Sequence, residues 1–475
     1  MRERNKERVM KEICKKVLRK VTPSEKEKEE ILQFSKNLAS KLTEKMQSSG
    51  VEAEAQVQGS VAKDTWLAGE KDVDMFILLP KKYTKEIFLK VLDVIKALVG
   101  EKWVEAYAEH PYIEAEVEGY KIDFVPCFKI ERAEEAISSV DRTPLHTSYI
   151  KRHLDQQVKN EVRLLKRFMR GIDTYGAEIK VGGFSGYLCE LLALDFKSFL
   201  EVLMSFADWK ERKFIDYEGF YKGREQEAEK IFGEPLIVVD PVDKGRNVAS
   251  ALRRKRLHEF VAASRMFLEK PCREYFYPPE THPFKPKKIA DILKTHGSTL
   301  ISVNVGKVNA VPDVLWGQLY KSQRSLRKML QLHDFNVIRD AVWSNEQDFT
   351  VFLFEVEHRF LPFIKRHLGP PVEKRKDCEK FLQKHVGSSK TISGPRVEKG
   401  RWIVETRRKH TDVVTLLAET LKNGGRQAGV ANLIAQSVKR NFQILTNEEI
   451  LELYAANNEF AVFLTEYLVG KPHWL

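Results

Sequence analysis

The chain has 475 residues, 43% of them hydrophobic, which is enough for several domains with sizeable cores. Lysine plus arginine number 80 against 68 acidic residues, a net charge of +12 that suits a polyanionic partner without proving one. Five dispersed cysteines, Cys14, Cys127, Cys189, Cys272 and Cys378, argue against a disulfide framework or a zinc site. A charged N-terminus and the lack of any membrane-length apolar run point to a reduced, cytoplasmic protein with no membrane partner.

In chain order, helices are expected at 7–21 and 23–48, the second with Ser24 as N-cap. Strands follow at 52–58, 72–79, 112–117 and 120–128, with a helix at 84–99. Side chains alternate faces along a strand, so Asp72 and Asp74 project from one face of an otherwise apolar stretch. Asp123 stands alone in a second apolar strand. If the two strands pair, three carboxylates converge and repel one another. A hard divalent cation such as Mg²⁺ relieves that repulsion, held by a few carboxylates and substrate phosphates.

Gly59-Ser60 lies just upstream. Gly59 allows close backbone approach, and Ser60 opens a short helix expected over 61–67, where a phosphate can bind. Lys63, one turn on, adds a positive charge. A phosphate cradle followed by a carboxylate set reads as a nucleotidyl-transfer site. The bland alternative for Asp-x-Asp is a solvated strand end.

Further along, helices are expected at 154–168 and at 184–203, the latter capped by Ser185. Pro278, Pro279, Pro283 and Pro286 mark a domain edge. A strand at 299–304, a helix at 312–332 and strands at 336–343 and 349–357 give a βαββ order, as in ferredoxin- or RRM-like sheets. Residues 358–410 mix a helix at 374–385, a Gly/Ser loop and a strand at 402–406, and helices at 413–422, 427–439 and 447–468 close the chain. Basic clusters at 253–256, 285–288, 374–376 and 407–409 together suggest a polyanion-binding surface.

The run Gly59 to Leu67 with Asp72-Val73-Asp74 resembles the polymerase-β-like nucleotidyltransferase superfamily. His110-Pro111-Tyr112, Ile122 to Cys127, Asp141 to His146, Asn160 to Lys166, Tyr175 to Glu178, Gly183 to Glu190, and Val239 to Asp243 with Arg246 to Ala249 narrow this. Together they resemble the archaeal, class I CCA-adding tRNA nucleotidyltransferases. The resemblance is strong over about residues 10 to 270. Lys63 departs from it mildly, since arginine is more usual there and lysine gives up the bidentate fork.

The resemblance implies an α+β, multidomain fold. A polymerase-β-like nucleotidyltransferase head would occupy 1–150 and a helical central, or neck, domain 151–275. A ferredoxin/RRM-like body would take 276–357 and 411–475, with an inserted α/β tail at 358–410 that binds tRNA. It implies CCA addition and repair at tRNA 3′ ends from CTP and ATP, with Mg²⁺ on Asp72, Asp74 and Asp123. Ser60 and Lys63 would hold the triphosphate. Thr143, His146, Lys166 and Tyr175 would contact the nucleotide's sugar and phosphates.

Arg246, read as lying in a loop before a helix near Val248, would help select C and then A, with Asp243 orienting it. His110 is a weaker candidate near the metal. His146 is expected in a turn, and Lys166 on an amphipathic helix is by default solvated. The tRNA would be gripped by its acceptor stem, TΨC side and 3′ end, and the family allows a homodimer. The alternatives are a poly(A) polymerase or oligoadenylate synthetase on the same head, or an inactive RNA-binding protein.

Overall fold

Two helices, α1 (Arg2–Val21) and α2 (Glu25–Ser48), lead into a mixed sheet. Ser24 caps α2 by accepting from Glu27 N–H at 3.2 Å. The computed structural model describes residues 2–107 and 110–475. Its residues fall into two units, Met1–Glu280 with Pro472–Leu475, and Thr281–Lys471.

In the first unit, the strands are β1 (Glu54–Gln58), β2 (Asp72–Leu79), β3 (Trp103–Tyr107), β4 (Pro111–Val117) and β5 (Tyr120–Phe128), in the order β1-β2-β5-β4-β3. Within this five-stranded sheet only β2 and β5 pair in parallel. Val73, Met75 and Ile77 share a core with α2 and with α4 (Ile87–Val99). The alternation puts Asp72 and Asp74 on the opposite face. Between β1 and β2, α3 (Gly59–Lys63) stops short of the expected 61–67, because Asp64 takes a left-handed conformation with φ 55°. Strand β3 was not anticipated.

The central elements are α5 (Thr143–His153), α6 (Gln156–Gly171), α7 (Gly186–Phe196), α8 (Phe199–Ala207), a small sheet of β6 (Lys213–Ile215), β7 (Leu236–Asp240) and β8 (Asp243–Asn247), with α9 (Glu225–Ile231) before β7, and α10 (Arg254–Glu269). Their core is aromatic, centred on Phe168, Phe184, Phe206, Phe260, Phe267 and Phe276. The single helix expected at 184–203 is two. Lys197 ends α7 with φ 63°, and Ser198 caps α8 by accepting from Glu201 N–H at 3.1 Å. Trp474 packs into this core at 5.7 Å from the Tyr275 ring.

The second unit begins with α11 (Pro286–His296) and is built on a four-stranded antiparallel sheet. It runs β9 (Thr299–Val305), α12 (Pro312–Leu332), β10 (Val337–Ser344) and β11 (Thr350–Val356). An insertion follows: β12 (Ile364–Pro371), α13 (Arg375–His385), β13 (Thr391–Glu398) and β14 (Arg401–Arg407), a three-stranded sheet with one helix. The chain then resumes with α14 (Val413–Leu421), α15 (Asn432–Arg440), β15 (Phe442–Thr446), α16 (Ile450–Ala456) and α17 (Asn458–Val469). The order β10-β11-β9-β15 is ferredoxin-like. Strands β12, β13 and β15 escape periodicity: Gly-Pro pairs interrupt the first two, and β15 is five residues long. Among the described residues no helix is long and apolar enough to cross a membrane.

Candidate active site

The acidic residues lie at one end of the five-stranded sheet. Register aligns Gln58 with Asp74, Asp74 with Asp123, and Asp123 with Glu114. Asp72 aligns with Lys121 in the next row on the same face. Glu114 is the third carboxylate in this row and the fourth on this face; motif reading passed over it, although period two along β4 marks it. Gly59 has φ 65°, and a Cβ there would fall 1.7 Å from Asp74 Oδ2. The close approach that glycine permits is thus to a carboxylate of this acidic cluster, and any side chain at 59 would displace it.

The electrostatics of this edge are unresolved within the protein. Asp123 Oδ1 is buried without a hydrogen-bond partner. Burial, then Asp74 and Glu114, push the Asp123 carboxyl up to about 7, against relief from Lys121. Asp74 is also raised, by burial and by Asp72, with Lys63 opposing. Crowded carboxylates with an orphaned oxygen fit a divalent cation. Among the described residues no three His, Cys, Asp or Glu side chains form a ready cage.

Behind this edge lies a paired network. Glu190 on α7 is 1% exposed; it accepts from Lys63 Nζ at 2.5 Å and from Thr65 Oγ1 at 2.6 Å. Lys166, expected to be solvated, is buried on α6. It donates to Thr65 O at 3.1 Å and lies 3.6 Å from Glu190. Burial pushes the Glu190 carboxyl up, but the two lysines outweigh it and the net shift is downward. Lys63 is therefore turned onto Glu190, with its charge felt at Asp74. Arg163 holds the intervening loop through Asp64 O at 2.8 Å and Trp66 O at 3.0 Å. Tyr175 Oη and Lys166 Nζ converge on Gly186, 3.1 and 3.7 Å from where its Cβ would stand.

His146 sits on α5, not in a turn, because Pro144 starts the helix that Thr143 opens. Its Nε2 is 2.9 Å from Asp240 Oδ2 and its ring stacks on Tyr187 at 4.2 Å. Arg246 lies on β8, not in a loop, and the next helix starts only at Arg254. Its partner is Asp240, at 2.6 Å, and not the expected Asp243, which pairs with Arg142 at 2.9 Å. Asp240 is fully buried and also accepts from Tyr187 Oη and Val242 N–H, each at 3.1 Å. Burial raises its carboxyl, but His146 and Arg246 bring the net shift down. Asp141, from the same stretch as His146, accepts from Phe128, Ile137 and Ser138 N–H groups and so ties the end of β5 to the start of α5.

Ser60 is half-buried on α3, and Thr143 half-buried on the first turn of α5. His110 is buried against Phe88, ring centres 4.7 Å apart. The basic clusters are partly internal: Arg408 holds Pro362 O and Ile364 O and reaches Asp334, and Arg256 holds Val181 O and Glu259. Lys374, Arg375 and Lys376 are exposed.

Three family models match in succession: a nucleotidyltransferase domain over residues 39–146, a tRNA nucleotidyltransferase second domain over 160–277, and a CCA-adding enzyme C-terminal domain over 296–447. The CCA-adding enzyme of Methanothermobacter thermautotrophicus is 36% identical over 457 residues, 95% of this chain and 97% of that one. That of Methanopyrus kandleri is 35% identical over 484 residues, 98% of each. The solved structure of E. coli MS115-1 CdnC with ATP has a TM-score of 0.43 and 20% identity, covering 56% of this chain and 94% of that one. With near full-length relatives at this identity, the chain belongs to the archaeal CCA-adding enzymes of the nucleotidyltransferase superfamily.

Proposed function

We propose that this protein completes and repairs the 3′-terminal CCA of tRNA from CTP and ATP, without a nucleic-acid template. Its family membership supports the reaction, and one observation carries the site: the buried, unpartnered Asp123 oxygen beside Asp74. The 3′-hydroxyl of the RNA attacks the α-phosphorus of the nucleotide, a new P–O bond forms, and pyrophosphate leaves. Asp72, Asp74 and Asp123 would hold Mg²⁺, which when bound would lower the pKa of the attacking hydroxyl and offset charge on the leaving phosphates. Asp123 lies on the side of the hydroxyl and helps take its proton.

Ser60 and Lys63 bind the triphosphate. Thr143, His146, Lys166 and Tyr175 contact sugar and phosphates. Arg246, fixed by Asp240, presents donors to the base. The head spans 1–150, the neck 151–275, the body 276–357 and 411–475, and the tail 358–410. The tail and body grip the acceptor stem and TΨC side by shape. The enzyme works in the cytoplasm, and a homodimer through the C-terminal domains fits the family.

The test is incubation with Mg²⁺ and tRNA ending at the discriminator base, at -C and at -CC, with CTP and ATP singly and together, followed by sizing of the products. Two additions with CTP and completion only with ATP are expected. A homopolymer from ATP alone would return the protein to the poly(A) polymerases. No incorporation would make it an inactive RNA-binding protein.

A further inference from the structure

Away from the site, three cations surround one aromatic ring. Lys20 Nζ lies 5.5 Å, Arg167 Cζ 4.6 Å and Arg273 Cζ 5.2 Å from the centre of the Tyr277 ring. The four residues come from α1, α6 and the segment after α10. A cavity of about 410 Å³ opens here, lined by Ile13, Lys16, Val17, Arg19, Lys20, Arg273 and Tyr277, with no carboxylate in its wall.

The platform is closely packed. Phe276 is fully buried. Gly171 packs so tightly that a Cβ there would lie 2.2 Å from Tyr275 O and 2.8 Å from Phe276 O. Arg167 Nε donates to Phe276 O at 2.8 Å, which orients the guanidinium towards the ring. Tyr277 N–H donates to Arg273 O at 3.0 Å. The ring's quadrupole draws the cations together; Arg167 spends its Nε on Phe276 O, and among the described residues none of the three cations forms an ion pair with a carboxylate. Burial is the largest cause lowering the Arg167 pKa; Arg170 adds to it, and Tyr277 and Glu70 oppose it.

We infer that the Tyr277 cluster is a binding site for the phosphodiester backbone of a double-helical RNA segment. The inference rests on the tRNA reading and adds a surface on the N-terminal helix to it. Lys16, Arg19 and Lys20 lie three and four residues apart on α1, so they form one exposed row. A row of cations leading to a fixed guanidinium pair matches successive phosphates better than one small anion. The ring faces are taken by cations, so the ligand is held by phosphate contacts and not by base stacking. Helical RNA is met in this way, through backbone and shape. The cationic stretch of α1 offers no exposed aromatic or leucine for insertion into a bilayer, which sets a lipid surface aside.

The experiment measures Kd for a tRNA transcript ending at the discriminator base across a range of monovalent salt at fixed Mg²⁺. The proteins are the wild-type chain, Lys20→Gln/Arg273→Gln, and the charge-matched control Lys36→Gln/Lys41→Gln on α2. Two lost phosphate contacts should weaken binding about tenfold at low salt and flatten the log–log slope by about 1.5–2, while the control matches wild type. If the first double variant melts early, Lys16→Gln/Arg19→Gln on the exposed row takes its place. Unchanged affinity and slope would overturn the site, as would weaker binding with an unchanged slope or a loss of binding confined to anionic phospholipid vesicles. Wild-type incorporation assays run in parallel separate this from failure of the functional reading, since an enzyme that adds CCA while both variants bind normally loses only the site.

Discussion

The two halves of the candidate site treat charge in opposite ways. At the sheet edge, Asp72, Asp74, Asp123 and Glu114 crowd together, and burial with mutual repulsion drives Asp123 up to about 7. In the network behind, Glu190 and Asp240 are at least as buried, yet Glu190 is met by two lysines and Asp240 by Arg246 and the His146 ring, each with hydroxyl or N–H donors besides, and both shift downward. The first region is incomplete without an external cation, whereas the second is complete and so is preorganised. Substitutions should therefore separate activity from stability in opposite senses on the two sides.

The largest effect is expected at Asp123→Asn. In its proposed metal-holding role this carboxylate supplies several kcal/mol of transition-state stabilisation, so single-turnover CMP addition should fall by about 10⁴-fold, or ~5.5 kcal/mol. The fold should be as stable as wild type or more so, because a buried, unpaired acid has been removed. Millimolar Mg²⁺ should raise the melting temperature of wild type and not of the variant. An Asp123→Asn protein that extends tRNA near the wild-type rate, or that unfolds well below it, would erase the contrast.

Glu190→Ala is the reverse case. It leaves Lys63 and Lys166 buried with no acid partner, and breaking such a pair costs about 3–5 kcal/mol. Urea denaturation should register that loss. A variant with wild-type stability would mean that water reaches these lysines, and the network would no longer differ in kind from the acidic edge.

Arg246 sharpens the comparison within the network. Its pairing with Asp240 leaves the rest of the guanidinium for the proposed base contact, so Arg246→Ala should erode discrimination by about 1–3 kcal/mol. CTP and ATP incorporation should fall, with UTP and GTP misincorporation falling much less. Equal fractional losses for all four nucleotides, measured on tRNA-C and tRNA-CC, would move Arg246 to a phosphate or structural role.

What was legible in the sequence follows the same division. An acid in an apolar strand breaks a local pattern, so Asp72, Asp74 and Asp123 stand out, and Ser24 and Ser185 cap helices where local rules place them. Glu190 and Asp240 carry no local signal, because their partners come from distant segments. Lys166 looked like a solvated lysine for that reason, and Arg246 was matched to nearby Asp243 when Asp240 turns inward to meet it. In the second unit the βαββ order was readable from hydrophobic runs, whereas β15 is short and β13 is interrupted by Ser393-Gly394-Pro395.

The smallest expected effect is a pH dependence confined to the network. Burial is the main reason that His146 lies below its ordinary range; Arg246 and Lys63 add to the shift, and Asp240 only partly offsets it. The native state thus keeps this imidazole neutral where the unfolded chain protonates it at about 6.5. Below that pH the unfolded state binds more protons, so stability must fall as pH drops. Asp240, lowered from the ordinary aspartate value, stays ionised throughout this window and contributes no slope. Between pH 7 and 5.5 wild type should lose up to about 1.4 kcal/mol more than His146→Gln, one pH unit below the unfolded pKa being worth about that much. Other titrating groups are common to both proteins and cancel in the difference. Parallel stability–pH curves would show that His146 is charged in the fold, and Asp240 would then hold two full cations instead of one.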